Sequence, residues 1–275
     1  MGIFDNCLLA CDIDGTLMSN GYINPRNIER IEYFVKEGGI FSLSTGRSVL
    51  AVSDVTSKIK DIGASVIANG CMIYDFKNHK LLSQKTIPKE EHIISDMISK
   101  LGLNVAIEIH CEEKVYTINK NRNSDLHQRY EKFSSDEVEY SFVDSLDWNK
   151  VVFIFESIED KKTVREFLNG KETNSIFIDT CAIIEKKTQN YIEQMPCGVS
   201  KATALKELCE MFKIKKGGLF SIGDYYNDAQ MLRMSDVSAV PDESPQDIKA
   251  IADYITCDCK SGAVADFIDY LGNKA

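Results

Sequence analysis

Cys7-Leu8-Leu9-Ala10-Cys11 is a short unbroken apolar run that stops at a polar turn, the pattern of a strand buried on both faces of a parallel sheet. A helix is predicted from Pro25. Asn24 can cap it, Pro25 suits its first turn, Ile28, Ile31, Phe34 and Val35 share one face, and Gly38-Gly39 ends it. A second buried strand follows from Ile40 to Ser44, then a helix from about Ser48 and a third strand from Ser65 to Ala68. This βαβαβ series predicts a parallel sheet covered by helices on both faces.

The rhythm changes after about Asp75. Strand-like stretches are predicted at Val105 to His110, Lys114 to Asn119, Val151 to Glu156, Ser175 to Thr180 and Ala182 to Lys186. Two helices, near Glu91 to Lys100 and Asp160 to Leu168, lie among them, which predicts an α+β module with an antiparallel sheet. The first rhythm resumes at Ser200. That residue can cap a helix with Leu205, Leu208, Met211 and Phe212 on one face, followed by a strand at Leu219 to Ile222 and a helix from about Asn227. A strand at Val237 to Val240, a helix opened by Ser244-Pro245-Gln246-Asp247 and a strand near Tyr254 to Thr256 complete the chain. The expected organisation is therefore an α/β, doubly wound, Rossmann-like core over residues 1–85 and 190–275, interrupted by an inserted α+β domain over 86–189.

Composition narrows the function. Against 32 Lys+Arg stand 42 Asp+Glu, a formal charge of −10, which argues against a general nucleic-acid or anionic-membrane binder. No apolar run approaches the roughly 20 residues that span a bilayer, and the N-terminal residues do not read as a signal peptide. Nine scattered cysteines, an odd number, make no disulfide framework and point to free thiols in a reducing cytoplasm. Cys257-x-Cys259 lacks the spacing of a zinc site.

In an open parallel sheet, ligands bind at the carboxyl ends of the strands. Four places there carry reactive or anion-binding groups. In Asp12-Ile13-Asp14-Gly15-Thr16-Leu17 the two carboxylates sit at i and i+2 of an extended segment and can share a site. They repel unless a cation lies between them or one keeps its proton, a requirement met by a hard ion such as Mg2+, with one carboxylate free to attack and the other to shuttle a proton. Ser44-Thr45-Gly46-Arg47 offers a hydroxyl, close-approaching amides and a guanidinium suited to phosphate oxygens. Lys201 stands in the first turn of its helix, and Gly223-Asp224-Tyr225-Tyr226-Asn227-Asp228 supplies further carboxylates and an amide. Taken singly, each group has an ordinary reading as a turn residue, a solvated lysine or a helix cap. Their order along the chain, each at a strand end or helix start, is what favours a site.

Other motifs do not survive inspection. Asp12-x-Asp14-Gly15 is not an EF-hand loop, because its glycine comes too early and Ile23 stands where the last ligand belongs. Gly198-Val199-Ser200-Lys201-Ala202 misses the G-x-S-x-G pattern by one residue and has no later histidine. The single Gly-Lys pair, Gly170-Lys171, is followed by Glu172, so there is no P-loop.

Asp12-x-Asp14-Gly15-Thr16-Leu17, Ser44-Thr45-Gly46-Arg47, Gly198-Val199-Ser200-Lys201 and Gly223-Asp224-x-x-Asn227-Asp228-x-x-Met231-Leu232 resemble the four motifs of the haloacid dehalogenase (HAD) superfamily in its Cof-type subfamily. The insert is similar to that subfamily's C2 cap, expected to close over the leaving group. The resemblance implies a Mg2+-dependent phosphatase of small phosphorylated metabolites, sugar phosphates foremost, with no nucleic-acid or membrane partner. It implies that Asp12 is the nucleophile forming a phosphoaspartyl intermediate and Asp14 the acid/base. Asp12, the Asp14 backbone carbonyl and Asp224 would hold Mg2+, with Asp228 behind them. Thr45 with the Gly46 amide, Lys201, Asn227 and the Ile13 amide would grip the phosphoryl group. Tyr225, Tyr226 and the stretch Val240-Pro241-Asp242-Glu243 depart from the family pattern. A phosphomutase of the same superfamily and a non-catalytic phosphometabolite-binding module are the alternatives. Arg122, His127, Arg129 and Tyr130 are the insert's candidates for substrate contact, or simply residues of a solvated helix.

Overall fold

The computed structural model describes residues 2–274. Two compact units form, one from Met1–Gly46, Ser53–Ser83 and Ser200–Ala275, the other from Arg47–Val52 and Gln84–Val199. Along the chain the first unit opens with β1 (Leu8–Cys11), the short hairpin β2 (Met18–Ser19) and β3 (Tyr22–Ile23), α1 (Pro25–Lys36) and β4 (Ile40–Leu43). Asn24 caps α1, its side chain accepting from the Arg26 amide at 2.9 Å, and Pro25 fills the first turn as expected.

A full helix does not form after β4. Only a 3₁₀ turn, Leu50–Val52, and the four-residue α2 (Ser53–Thr56) appear; the β-branched Val52, Val55 and Thr56 are poor helix formers. Next come β5 (Ala64–Ile67), β6 (Met72–Asp75) and β7 (Lys80–Gln84), a three-stranded sheet in which β5 and β6 pair antiparallel. The parallel expectation for the third strand survives as isolated parallel bridges, Phe41 with Ile62 and Ser44 with Val66.

The second unit holds α3 (His92–Ser99), β8 (Val105–Cys111), β9 (Lys114–Ile118), α4 (Arg122–Glu131), β10 (Asp136–Glu137), α5 (Tyr140–Val143), β11 (Lys150–Phe155), α6 (Ile158–Leu168), β12 (Ser175–Ile184) and β13 (Lys187–Pro196). Its six-stranded sheet runs β10-β9-β8-β11-β13-β12. Of the residues expected as two strands, 175–180 and 182–186, those up to Ile184 form the single strand β12, and its partner β13 had no prediction. The reversal falls at Glu185 and Lys186, both at positive φ (51° and 63°), the twist a tight hairpin needs. One face of this sheet packs Ile107, Ile109, Val151, Phe153 and Ile192 with Trp148, Ile98 and Val164 into an ordinary apolar core.

Back in the first unit are α7 (Lys201–Phe212), β14 (Leu219–Ile222), α8 (Ala229–Met234), β15 (Val237–Pro241), α9 (Gln246–Lys249), β16 (Tyr254–Thr256) and α10 (Ala263–Gly272). Leu205 and Leu208 of α7 are buried, whereas Met211 and Phe212, in the last turn of the expected apolar face, are exposed. The main sheet has the order β16-β15-β14-β1-β4, and every pair in it is parallel. Leu8, Ala10, Leu205, Leu208, Leu219 and Met231 form its core on one face. Asn27 of α1, fully buried, accepts from the Ala265 amide of α10 at 2.9 Å and so joins the two helices.

Candidate active site

β1 and β14 are hydrogen-bonded neighbours, so residues just past their carboxyl ends emerge side by side. The Asp12 amide still donates to the Ile222 carbonyl at 3.0 Å, fixing where Asp12 leaves the sheet. The chain then turns back, with the Leu17 and Met18 amides donating to the Ile13 carbonyl at 3.0 and 2.8 Å. Gly15 stands at φ +86°, and a Cβ there would lie 2.4 Å from Asp224 Oδ2, so only glycine admits that carboxylate. Thr16, wholly buried, donates from Oγ1 to Asp224 Oδ1 at 3.1 Å. On the β14 side a Cβ on Gly223 would meet the Asp228 carboxylate at 2.5 Å.

Ser200 caps α7 through a capping box with Thr203, and this places Lys201 in the first turn. Lys201 is 1% exposed, and its Nζ donates to Asp12 Oδ1 and Asp228 Oδ1, both at 2.7 Å. The other oxygen of Asp228 accepts from the backbone amides of Asp224 and Tyr225. Asp228 is thus fully engaged in holding the lysine and the loop. Carboxylate oxygens of Asp12, Asp224 and Asp228 all lie within 4.8 Å of one another.

The electrostatics follow from this packing. Burial opposes the Lys201 ammonium, but Asp12 and Asp228 hold it charged, well above its ordinary value. Burial pushes Asp12 up despite Lys201, with Asp228 and Asp224 adding to the rise. Asp224 is pushed up to about 7, first by burial and then by Asp228. Three carboxylates facing one ammonium carry a formal excess of two negative charges. All-oxygen donors with that excess fit a hard divalent cation, which would relieve the repulsion.

The remaining expected residues lie as follows. Asp14 is exposed, outside the three converging carboxylates. Thr45 is buried; its amide donates to Val66 at 3.0 Å, and Gly46 follows it. Asn227 is exposed within the 3₁₀ turn Tyr226–Asp228, beside the exposed Tyr225 and Tyr226. Arg47 is buried, donates from Nη1 to the Ala51 carbonyl at 2.9 Å and has Nε 4.0 Å from the Glu131 carboxylate. In the second unit His127 Nδ1 is 2.8 Å from the fully buried Glu108 carboxylate, while Arg129 reaches the Asp125 carbonyl at 3.4 Å and Tyr130 is exposed. Arg122 is the first residue of α4, the helix that the alternative reading of these four residues expects. All nine cysteines are free. Among the described residues no helix is long and apolar enough to cross a membrane.

Two features escaped the sequence reading. Thr16 had no role assigned, though its hydroxyl anchors Asp224. The turn Ala68-Asn69-Gly70 was read only as a strand end, although Asn-Gly is a strong signal for a left-handed turn.

The profile of the haloacid dehalogenase-like hydrolase family matches residues 9–268. The chain belongs to that family and is a hydrolase, as its Cof-type motifs imply. It is similar to phosphatase YwpJ of Bacillus subtilis, 26% identical with 96% of this chain and 99% of that protein covered. It is also similar to the 5-amino-6-(5-phospho-D-ribitylamino)uracil phosphatase YcsE of Bacillus subtilis, 23% identical over 90% of this chain and 89% of that one. Among solved structures, the HAD subclass IIB sugar phosphatase BT4131 shares the fold with a TM-score of 0.79 at 19% identity, covering 97% of this chain and 99% of that chain.

Proposed function

We propose that the chain is a Mg2+-dependent phosphatase that hydrolyses small phosphorylated metabolites, sugar phosphates foremost, through a phosphoaspartyl intermediate on Asp12. The observation that carries this reading is Lys201 Nζ, buried and 2.7 Å from both Asp12 and Asp228, in a carboxylate cluster that Asp224 completes. The relatives support the substrate class: one is named for a phosphoribitylamino compound, another as a sugar phosphatase.

In this reading an Asp12 carboxylate oxygen attacks phosphorus in line as the bond from phosphorus to the leaving alcohol breaks. Asp14, exposed and two residues on, gives that alcohol its proton. Asp14 then takes a proton from water, the water oxygen bonds to phosphorus, and the bond to Asp12 breaks to release inorganic phosphate. Lys201, the Thr45 hydroxyl, the Gly46 and Ile13 amides and the Asn227 carboxamide grip the phosphoryl oxygens, where charge must be neutralised. Asp12, Asp224 and the Asp14 carbonyl hold Mg2+, which when bound supplies positive charge to the phosphoryl oxygens. Asp228 keeps Lys201 and the 224–228 loop in place. Every one of these groups belongs to the first unit. In this reading the first unit is the core that carries the chemistry and the second is the insert.

The test is phosphate release from sugar phosphates, nucleotides and cofactor phosphates, with Mg2+ or chelator, by wild type and Asp12→Asn. Release that needs both Mg2+ and Asp12 is expected. Full turnover by Asp12→Asn would sink the nucleophile assignment, and an isomer formed without free phosphate would establish a mutase.

A further inference from the structure

The turn after β5 is strained. Ala68, Asn69 and Gly70 stand in succession at φ 51°, 56° and 102°, left-handed backbone that L-residues rarely adopt. Strain of this kind persists where the surroundings over-determine it, and it clusters at functional sites. Here two segments of the phosphate site do so. The Asn69 amide donates to the Thr45 carbonyl at 2.9 Å, and a Cβ on Gly46 would lie 3.0 to 3.3 Å from the Asn69 carboxamide atoms, so the carboxamide packs directly on the Gly46 backbone. One residue later, a Cβ on Gly70 would lie 2.2 Å from the Ser200 carbonyl oxygen and 3.2 Å from the backbone nitrogen of Lys201. The same three residues thus brace Thr45-Gly46 on one side and the start of α7, which carries Lys201, on the other.

We propose that Asn69 is a positioning residue for phosphoryl binding: its left-handed backbone sets the distance between the Thr45-Gly46 segment and Lys201, and its carboxamide holds the Gly46 amide in the orientation that receives a phosphate oxygen. The proposal rests on the phosphatase reading above. Asparagine suits the place on two counts, since it tolerates left-handed φ better than other side-chain-bearing residues and its carboxamide is neutral beside a site for a dianion.

Two variants of the full-length protein separate this role from simple support of the turn. Asn69→Gly keeps the left-handed backbone and its amide but deletes the carboxamide. Asn69→Asp keeps size and backbone preference but places a negative charge against Gly46. Inorganic phosphate binding to the Mg2+-treated protein is read by calorimetry, beside KM, kcat and the melting temperature. Phosphate affinity is expected to fall about tenfold in Asn69→Gly and about another tenfold in Asn69→Asp, with KM rising in parallel and melting temperatures close to wild type. A turn that is only structural predicts the opposite order, because aspartate restores the shape that glycine lacks. Wild-type phosphate affinity in Asn69→Asp overturns the proposal while leaving the phosphatase reading intact. A wild type that neither binds nor releases phosphate overturns the reading, and the proposal with it.

Discussion

Lys201 does two jobs at once, and its removal should expose both. Its ammonium is the partner of two buried carboxylates, Asp12 and Asp228, each at 2.7 Å. Lys201→Met is expected to lower kcat by roughly 10² to 10³, the usual cost of losing one preorganised electrostatic group. Without Mg2+ it should also lose roughly 3–5 kcal/mol of stability, because breaking a buried pair strands the remaining charges. Mg2+ should return part of that loss, which denaturation with and without the ion measures; a variant equally stable in both would contradict a cation site at these carboxylates. Asp12, Lys201, Asp224 and Asp228 were legible in the sequence because each sits in a short motif at a strand end or helix start, where chain direction alone fixes the emerging side chain. Thr16 and Asn69 were not, since their roles depend on what lies opposite: Asp224, 208 residues away from Thr16 in sequence, and Gly46 against Asn69. The contacts of Arg47 with Ala51 and Glu131 were hidden in the same way, because Glu131 is far off in sequence.

Elements obey the pattern where burial dictates it. Strands β1, β4 and β14, buried throughout or nearly so, stood out as unbroken apolar runs. By contrast, β13 carries Thr188, Gln189, Asn190, Glu193 and Gln194 among its ten residues, too polar to show a strand's period. Its hairpin with β12 turns through Glu185 and Lys186, two residues with no ease at positive φ. Replacing Glu185-Lys186 by Asn-Gly, the pair this turn prefers, is expected to stabilise the second unit by about 0.5–1 kcal/mol, seen as a higher melting temperature. The contact between α4 and β8 makes a second test. His127 Nδ1 lies 2.8 Å from Glu108. Burial opposes the imidazolium, but Glu108 first and Glu131 after it raise His127 above its ordinary 6.5, with Lys150 pulling the other way. A group raised on folding stabilises fully below its unfolded value and loses that contribution as pH climbs through the folded one. The stability gap between wild type and His127→Gln should therefore be widest below pH 6.5 and close as pH rises. Burial lowers His110 nearby, with Lys150 and then His127 adding to the fall; the opposite slope this gives comes first from burial, which both proteins share, and only the smaller part owed to His127 differs between them. A gap unchanged with pH would mean that the pair is not ionised.

For the whole molecule, the net charge of −10 makes a phosphate site an electrostatic exception that has to be built locally. In the proposed reading the first unit does so with groups from four separate stretches of chain: those around 12–16, 201 and 224–228 meet past the carboxyl ends of β1 and β14, and 45–46 follow the neighbouring β4. The second unit interrupts the sequence between the second and third of these stretches, yet supplies none of the converging carboxylates. A ligand that binds only the folded site stabilises it by mass action, about 2.7 kcal/mol at a hundredfold excess over Kd. Local opening also varies across a structure, so the gain should appear where the ligand holds the chain. On adding Mg2+, slowed amide exchange is therefore expected at 12–18 and 223–228, where backbone amides anchor the loops that carry Asp12 and Asp224. Exchange in β8 and β11, whose amides pair within their own sheet, should stay as it was. Protection gained in those strands and not around Asp12 would place the cation elsewhere, and the −2 excess at Asp12, Asp224 and Asp228 would then need another partner.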